Sequence, residues 1–380
     1  MKVLIQGAGI AGLSLAREML RRSIDFTIVE QSEALKPLGA GITLATNALK
    51  CLSATLDIDA LRRRGQSLEL MRVHDASGAL LSTMPTRLPA DPYYGIAIHR
   101  HALHEALLEG LESRRILLDR SIESIVPCEA DLQVTLSDGT AHRCDFLVGA
   151  DGIRSAIRGF VTKESRLRFS GETCWRAVVP RRLDRPEQSA EIWGRGKRLG
   201  YIQIAPKLLY IYATLAVEAA GIDLTPNELL STFSDLQGEA SNMVQLLCSA
   251  RSLIHNDLEE LEPASWAHGR VILIGDAAHA MTPNLGQGAA MAIEDAYCLA
   301  RIWSSHSGID SLAQFERARR SRVAFIQKES RKIGQVAQWS SQPAVWLRNT
   351  LIRLLPKSSH NKLTERILGG VAYLEDQSTL

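Results

Sequence analysis

The sequence predicts an α/β protein: a parallel-sheet domain, discontinuous along the chain, a second domain of largely antiparallel β structure, and C-terminal helices. Three stretches predict it: "VLIQGAGIAG" (3–12), "CDFLVGADGI" (144–153) and "VILIGDAAHA" (271–280). In each, a short apolar run rich in β-formers enters a glycine-rich turn that leads into a helical segment. Between the second and third, "CWRAVVP" (174–180), "LGYIQIAP" (199–206) and "LLYIYATL" (208–215) alternate as antiparallel strands do. A length of 380 residues suits two domains rather than one.

The totals exclude several classes. With 46% hydrophobic and 23% charged residues the balance is globular. Lys and Arg number 44 against 42 Asp and Glu, which leaves no chain-wide footprint for nucleic acid. The six cysteines (51, 128, 144, 174, 248, 298) form no CxxC pair and have no clustered His partners. A disulfide framework or zinc site is therefore not expected, and a reducing cytoplasm fits. "MKVLIQGAGI" opens a strand and is too short in apolar length for a signal peptide. No run reaches about 18 apolar residues, so a soluble intracellular protein without a membrane span is expected.

In the first element, "GAGIAG" places Gly7, Gly9, Ala11 and Gly12 in a G-x-G-x-x-G turn between the strand "VLIQ" and the helix "LSLAREMLRR" (13–22). Gly7 permits the sharp turn, Gly9 leaves room for a pyrophosphate, and Gly12 lets helix and strand approach. "FTIVE" (26–30) is the second strand and ends in Glu30, 18 positions after Gly12, where a carboxylate takes ribose hydroxyls. This element alone leaves NAD and FAD open.

The other two turns bear on that choice. An NAD-only domain needs just the first, whereas a cofactor with a ribityl chain and a tricyclic ring needs further contacts. Asp276 is placed to hold ribityl hydroxyls. The bare segment 283–289, with Pro283, Gly286, Gly288 and Ala289, lets backbone N–H groups reach a flavin edge.

With "GAGIAG", "GADGIRSAIR" and "GDAAHAMTPNLGQGAAMAIEDA" in this order, the chain resembles the single-component FAD-dependent aromatic hydroxylases of the p-hydroxybenzoate hydroxylase fold, from residue 1 to about 330. The resemblance implies a Rossmann-like FAD-binding domain with a β-sheet substrate domain and C-terminal helices. It also implies FAD as the held cofactor, NAD(P)H as transient reductant and O2 as co-substrate. Residues 1–70, 96–165 and 266–335 are expected to form the FAD-binding domain, 71–95 and 166–265 the substrate domain, and 336–380 a helical segment. Arg100, in "IHRHALHEALLEGL" (98–111), matches an arginine near the FAD phosphates; its plain alternative is a solvated helix-start residue. "PLGAGITLATNAL" (37–49) resembles the mobile segment near the ring, with Gly41 beside the flavin, and Asp151 takes a structural or reductant-facing role. His279 belongs to the cofactor turn and is read as structural.

Outside the cofactor turns, "GETCWRAVVP", "GKRLGYIQI" and "AVWLRNTLIRLLP" resemble the branch of that family that hydroxylates 2-alkyl-4(1H)-quinolones at C3, giving a 3-hydroxy quorum-sensing signal. The expected chemistry is oxygen transfer from an electrophilic flavin C4a-hydroperoxide to an electron-rich carbon. No residue stands out as an obligatory base and no metal is expected. Trp193, Tyr201 and Tyr212 are candidates for the pocket wall, as is Trp175, with core packing the alternative for each. Arg176 or His74 is placed to meet a carbonyl, unless either serves a surface ion pair. A phenolic or purine ring hydroxylase, or a non-catalytic redox sensor, remains open. "AVWLRNTLIRLLP" (344–356), with Arg348, Arg353, Lys357, Lys362 and Arg366, either packs on the body or touches the inner face of the membrane through residues 344–366. Oligomeric state is not legible.

Overall fold

The apolar runs at the three turns become neighbouring strands of one sheet. In the computed structural model, which describes residues 1–35, 39–89 and 91–371, that sheet has six strands. Their order is Ala267–His268, Val271–Leu273, Phe146–Gly149, Lys2–Gln6, Asp25–Val29, Ile116–Leu117, and all but the first run parallel. Gln6 pairs with Gly149, and Gly149 with Leu273. The three glycine turns therefore leave the same edge side by side, at the carboxyl ends where α/β sheets bind ligands. Helix Ile10–Arg21 buries Leu13, Leu15, Ala16 and Met19 against the sheet and packs on helix Gly288–Ser305.

Two small antiparallel sheets are attached. Ile122–Pro127, Leu132–Leu136 and Ala141–Cys144 form one. Gly41–Leu44, Gly95–His99 and Gln66–Leu68 form the other, which carries the segment expected near the ring. Of that segment, Pro37 and Leu38 lie outside the described residues.

A seven-stranded sheet takes the order Ile254–Leu261, Leu167–Pro180, Leu208–Ala216, Lys197–Ala205, Gln188–Trp193, Leu70–Asp75, Leu80–Pro85. It is antiparallel except where Gln188–Trp193 meets Leu70–Asp75. Side-chain alternation gives it two unlike faces. Trp175, Ala177, Leu199, Tyr201, Leu209 and Ile211 pack against helices Pro226–Thr232 and Glu239–Cys248. Val178, Ile202, Ile204 and Tyr210 point the other way, against Leu68 and Ala97 of the three-stranded sheet. The two helices follow the strands expected at 174–180, 199–206 and 208–215, in a stretch for which the alternation gave no element. Their start, Thr225-Pro226-Asn227-Glu228, is a capping box with proline in the first turn.

Helices Asp310–Ala337, Gln342–Leu354 and Lys357–Leu368 follow, with a helical turn at Gly369–Val371 the final element among the described residues. No helix among the described residues is long and apolar enough to cross a membrane.

Candidate active site

The crevice begins at the first turn. Gly7 has φ +105°, and a Cβ there would lie 2.5 Å from the Ala150 carbonyl oxygen, so the first turn is pressed onto the second. A Cβ on Gly12 would overlap the Gly7 carbonyl, which places the helix directly on the turn. Gly9 differs: no protein atom lies within 4 Å of where its Cβ would be. It caps helix Ile10–Arg21 without any side-chain cap, leaving first-turn N–H groups to an anion. Glu30 stands at the end of Asp25–Val29, and its carboxylate accepts from Ala8 N–H at 2.7 Å and Ser32 N–H at 3.0 Å. His104 Nε2 meets the Ala8 carbonyl at 2.8 Å and fixes the turn from the other side.

The second turn is held by its own aspartate. Asp151 Oδ2 accepts from Ala156 N–H at 2.8 Å and Ile157 N–H at 3.3 Å, while Oδ1 is buried with no protein partner. Buried Arg158 donates to Ile153 O at 2.7 Å and to Ala277 O at 3.1 Å, tying the second turn to the third. Gly275, with φ +59°, sits where a Cβ would be 3.0 Å from Ala11 Cβ. Asp276, the next residue, begins a short helix with an exposed side chain beside the Gly7–Gly12 crevice.

Farther along, a second convergence occurs. A Cβ on Gly286 (φ +61°) would lie 2.9 Å from Thr43 Oγ1, and Asn47 Nδ2 donates to Gln287 Oε1 at 2.9 Å. A Cβ on Gly41 would lie 2.5 Å from the Tyr210 ring, so that strand lies flat on the aromatic face. Pro283 is exposed, and Gly288 and Ala289 are partly exposed at the start of helix Gly288–Ser305, which has no side-chain cap. Backbone N–H groups are thus presented where segment 41–47, turn 283–289 and the large sheet meet. Arg100 opens helix Arg100–Leu108, its backbone N–H on Ala40 O at 2.9 Å and its side chain exposed.

A buried charge network anchors the third turn. Asp295 Oδ2 accepts from Gly275 N–H at 3.0 Å and pairs with His279 at 2.6 Å; its other oxygen takes Arg319 at 2.7 Å. Arg319 also pairs with Glu294 at 2.5 Å, and Glu294 takes Arg322 and Asn47, each at 2.7 Å. Burial raises the pKa of both carboxyls, but the surrounding cations outweigh it and hold each below its ordinary range. His279 is accordingly an anchor within the turn.

The sheet face toward the turns carries Glu172, Arg176, Arg198, Tyr210 and Tyr212. Arg198 is buried and donates to Asn284 Oδ1 of the ring turn at 2.6 Å. It pairs with Glu172 at 2.6 Å and Glu191 at 3.3 Å, so two carboxylates neutralise it. Arg176 donates to Asn256, and its Nε is buried without a partner. Burial pushes the Tyr210 and Tyr212 phenols up, keeping both protonated. His74 lies elsewhere, on strand Leu70–Asp75, with Nδ1 3.0 Å from Gly78 O.

Three expected wall residues pack elsewhere. Tyr201 lies on the opposite, helix-covered face, its hydroxyl donating to Glu239 at 2.9 Å. Trp193 packs with Val73, Leu81 and Ala337, with the Arg348 guanidinium 5.5 Å from its ring centroid, and forms no wall. Trp175 likewise packs under the helices. Tyr210 and Arg198 are the residues sequence reasoning missed. Tyr210 had a visible signal, because the alternation of "LLYIYATL" puts it on the face of Tyr212.

The fold and crevice define a protein that binds a dinucleotide across a parallel sheet and covers its far end with a second sheet. Residues 1–176 and 230–328 match the family model described as FAD binding domain, and the chain belongs to that family; its cofactor is FAD. It is 51% identical over 382 residues to the 2-heptyl-3-hydroxy-4(1H)-quinolone synthase of Pseudomonas aeruginosa, covering 99% of this chain and 100% of the relative. It is 35% identical to the aurachin C monooxygenase/isomerase of Stigmatella aurantiaca, covering 96% and 97%. Klebsiella pneumoniae HpxO, solved with FAD and uric acid, shares the fold with a TM-score of 0.86 at 24% identity, covering 97% of each chain.

The residues fit that cofactor. Gly9 leaves an open approach to unsatisfied helix N–H groups, Asp276 is exposed beside it, and Asp151 keeps an unpartnered buried oxygen.

Proposed function

We propose that the protein is an FAD-dependent monooxygenase that hydroxylates a 2-alkyl-4(1H)-quinolone at C3, using NAD(P)H and O2. The observation that carries this reading is 51% identity over the whole length, which includes the large sheet and not only the cofactor turns. Bound FAD, once reduced, supplies the activated oxygen. In this proposal Gly9, Ala11 and the helix start hold the pyrophosphate, and Glu30 holds the adenosine ribose. Asp276 holds the ribityl chain, Arg100 lies by the phosphates, and the 283–289 backbone with Gly41 borders the ring.

The protein's task on the substrate side is placement and exclusion of water. Tyr210 and Tyr212 supply a protonated, largely apolar wall, and Arg176 offers its unpartnered N–H to the quinolone carbonyl. Arg198, the most deeply buried cation there, is already matched by Glu172 and Glu191. Arg176, bonded to the neutral Asn256, is the cation of this face left for the substrate's carbonyl.

The reaction is placed in the cytoplasm at the inner face of the membrane, where an alkylquinolone partitions, with contact through residues 344–366. The test is NADH oxidation by the purified FAD-loaded protein with 2-heptyl-4(1H)-quinolone, salicylate or urate, with 18O2 and product mass as readout. Quinolone-stimulated oxidation and a product carrying one labelled oxygen are expected. Stimulation by salicylate or urate alone would refute the substrate assignment.

A further inference from the structure

We propose that helix Gln342–Leu354 docks the protein on an anionic phospholipid surface through Trp346, Leu347, Leu351 and Leu354. This gives a contact surface to the membrane-side location above and rests on that location, not on the identity of the substrate. At 100° per residue the four side chains fall within a band of about 140°. Trp346 is 69% and Leu354 73% exposed, Leu347 and Leu351 are close to half exposed, and exposed Leu355 follows. Leu80, also exposed, lies on the strand Leu80–Pro85 against which the helix packs and extends the apolar surface. Isolated apolar residues on a surface are ordinary; a contiguous helical band with tryptophan at its edge is not.

The opposite side of the helix fixes this band outward. Arg348, one of the cations of the segment for which body packing and lipid contact were both open, is buried. It donates to Ala337 O at 2.7 Å and to Trp193 O and Gly194 O at 3.2 Å each. Ile352 packs beside it with Val73, Leu81 and Trp193, and Arg353 pairs with Asp75 at 2.7 Å. Rotating the band inward would break all of these contacts.

Charge selects the occupant. Residues 310–371 hold twelve Lys and Arg against four Asp and Glu; Arg319, Arg322, Arg331 and Arg353 are matched by Asp295, Glu294, Glu260 and Asp75 from other elements, which leaves eight cations against four acids. Arg317, Lys328, Lys332, Arg353, Lys362 and Arg366 are exposed. A second copy using the same segment would bring the same excess of cations toward the first. An anionic lipid surface complements that surplus, and an apolar helical face in a segment with an excess of cations is the arrangement of an interfacial helix.

The test uses the full-length, FAD-loaded protein without substrate, sedimented with phosphatidylglycerol/phosphatidylethanolamine vesicles or with phosphatidylcholine vesicles. Binding to the first, weakened by salt and at least tenfold stronger than to the second, is expected. The quadruple serine variant at 346, 347, 351 and 354 should lose at least tenfold in bound fraction and keep its flavin absorbance. The single change Leu354→Glu is a milder second variant and should lose binding in the same direction. Wild-type protein left in the supernatant with the anionic vesicles overturns the proposal, as does equal binding by the variants. So does sedimentation velocity showing a dimer that the quadruple variant converts to monomer. Because no quinolone is present, a failed lipid result leaves the hydroxylation assay untouched, and the reverse holds.

Discussion

Two glycines three residues apart should fail in opposite ways when each gains a methyl group. In Gly12→Ala the new Cβ overlaps the Gly7 carbonyl, a backbone atom that cannot swing aside, so helix Ile10–Arg21 must lift from the sheet. Overpacking of this kind costs about 1–3 kcal/mol. In Gly9→Ala the Cβ meets no protein atom within 4 Å, and the backbone there (φ −78°, ψ −171°) suits alanine. The fold should not change, but the methyl group occupies the approach to the helix N–H groups. Loss of a hydrogen bond to a charged group costs about 1.5–3 kcal/mol, which at 1.4 kcal/mol per decade is roughly 10- to 150-fold in FAD affinity. The assay pairs thermal unfolding of flavin-stripped protein with FAD titration followed by flavin fluorescence. Gly12→Ala should lower the apoprotein Tm by several degrees, at about 2–4 °C per kcal/mol, whereas Gly9→Ala should leave it within a degree or so of wild type. An equal fall in apoprotein Tm for both, or wild-type FAD affinity in Gly9→Ala, would refute the division of labour drawn from the turn.

Other consequences can be measured separately. Asp276→Ala removes an exposed side chain, so apoprotein stability should hold while FAD affinity falls about tenfold or more. Arg198→Met strips the partner from two buried carboxylates, and urea titration should show a loss of about 3–5 kcal/mol. Gly334→Ala drives a Cβ into Asn284 Nδ2 and to 3.0 Å from Glu172 Oε1. With the ring turn displaced, a larger share of consumed NADH should appear as hydrogen peroxide, read by a peroxidase-coupled assay. Burial pushes the Cys144 and Cys298 thiols up to about 12 and Cys174 up to about 11. Raised in the folded state, these pKa values leave stability intact below about pH 9, where the thiols are protonated in both states, and erode it above that pH as the unfolded chain ionises. Thiol titration at pH 8 should leave these three unreactive until denaturant is added; prompt native-state reaction would contradict their burial.

How much could be read in advance depended on how local the cause was. Gly7, Gly12 and Gly275 are dictated by backbone torsion or by a carbonyl or methyl in direct contact, so their pattern survives in the linear text. Glu30 was legible for the same reason, since a strand end fixes where its carboxylate sits. Trp193 stands opposite Arg198 in register, at a strand end that Val73, Leu81 and Ala337 cover; Tyr201 was misplaced because its surroundings depend on pairing with other strands. A one-residue change of parity sends a side chain to the other face. Alternation within "LGYIQI" cannot say which set meets the cofactor until Gly41 is seen against Tyr210. Arg198 was overlooked because its partners stand at 172, 191 and 284, on three different elements. Arg348 could be read either way from the linear text, and only the carbonyls at 193, 194 and 337 reveal it as a peg. The helices within 225–248 had a start signal in Thr225-Pro226-Asn227-Glu228 that the neighbouring strand alternation obscured.

The charge network beneath the third turn extends to the far end of the chain. Arg322, which grips Glu294, also donates to the carbonyls of Arg366 at 3.1 Å and Ile367 at 2.8 Å, and a Cβ on Gly370 would run into its guanidinium. The yellow colour of the protein is thereby wired to helix Lys357–Leu368. A tag fused close behind residue 370, or a proteolytic nick ahead of 366, should bleach the preparation from some 90 residues away in sequence, and a purification that follows 450 nm absorbance would report tail integrity at no extra effort.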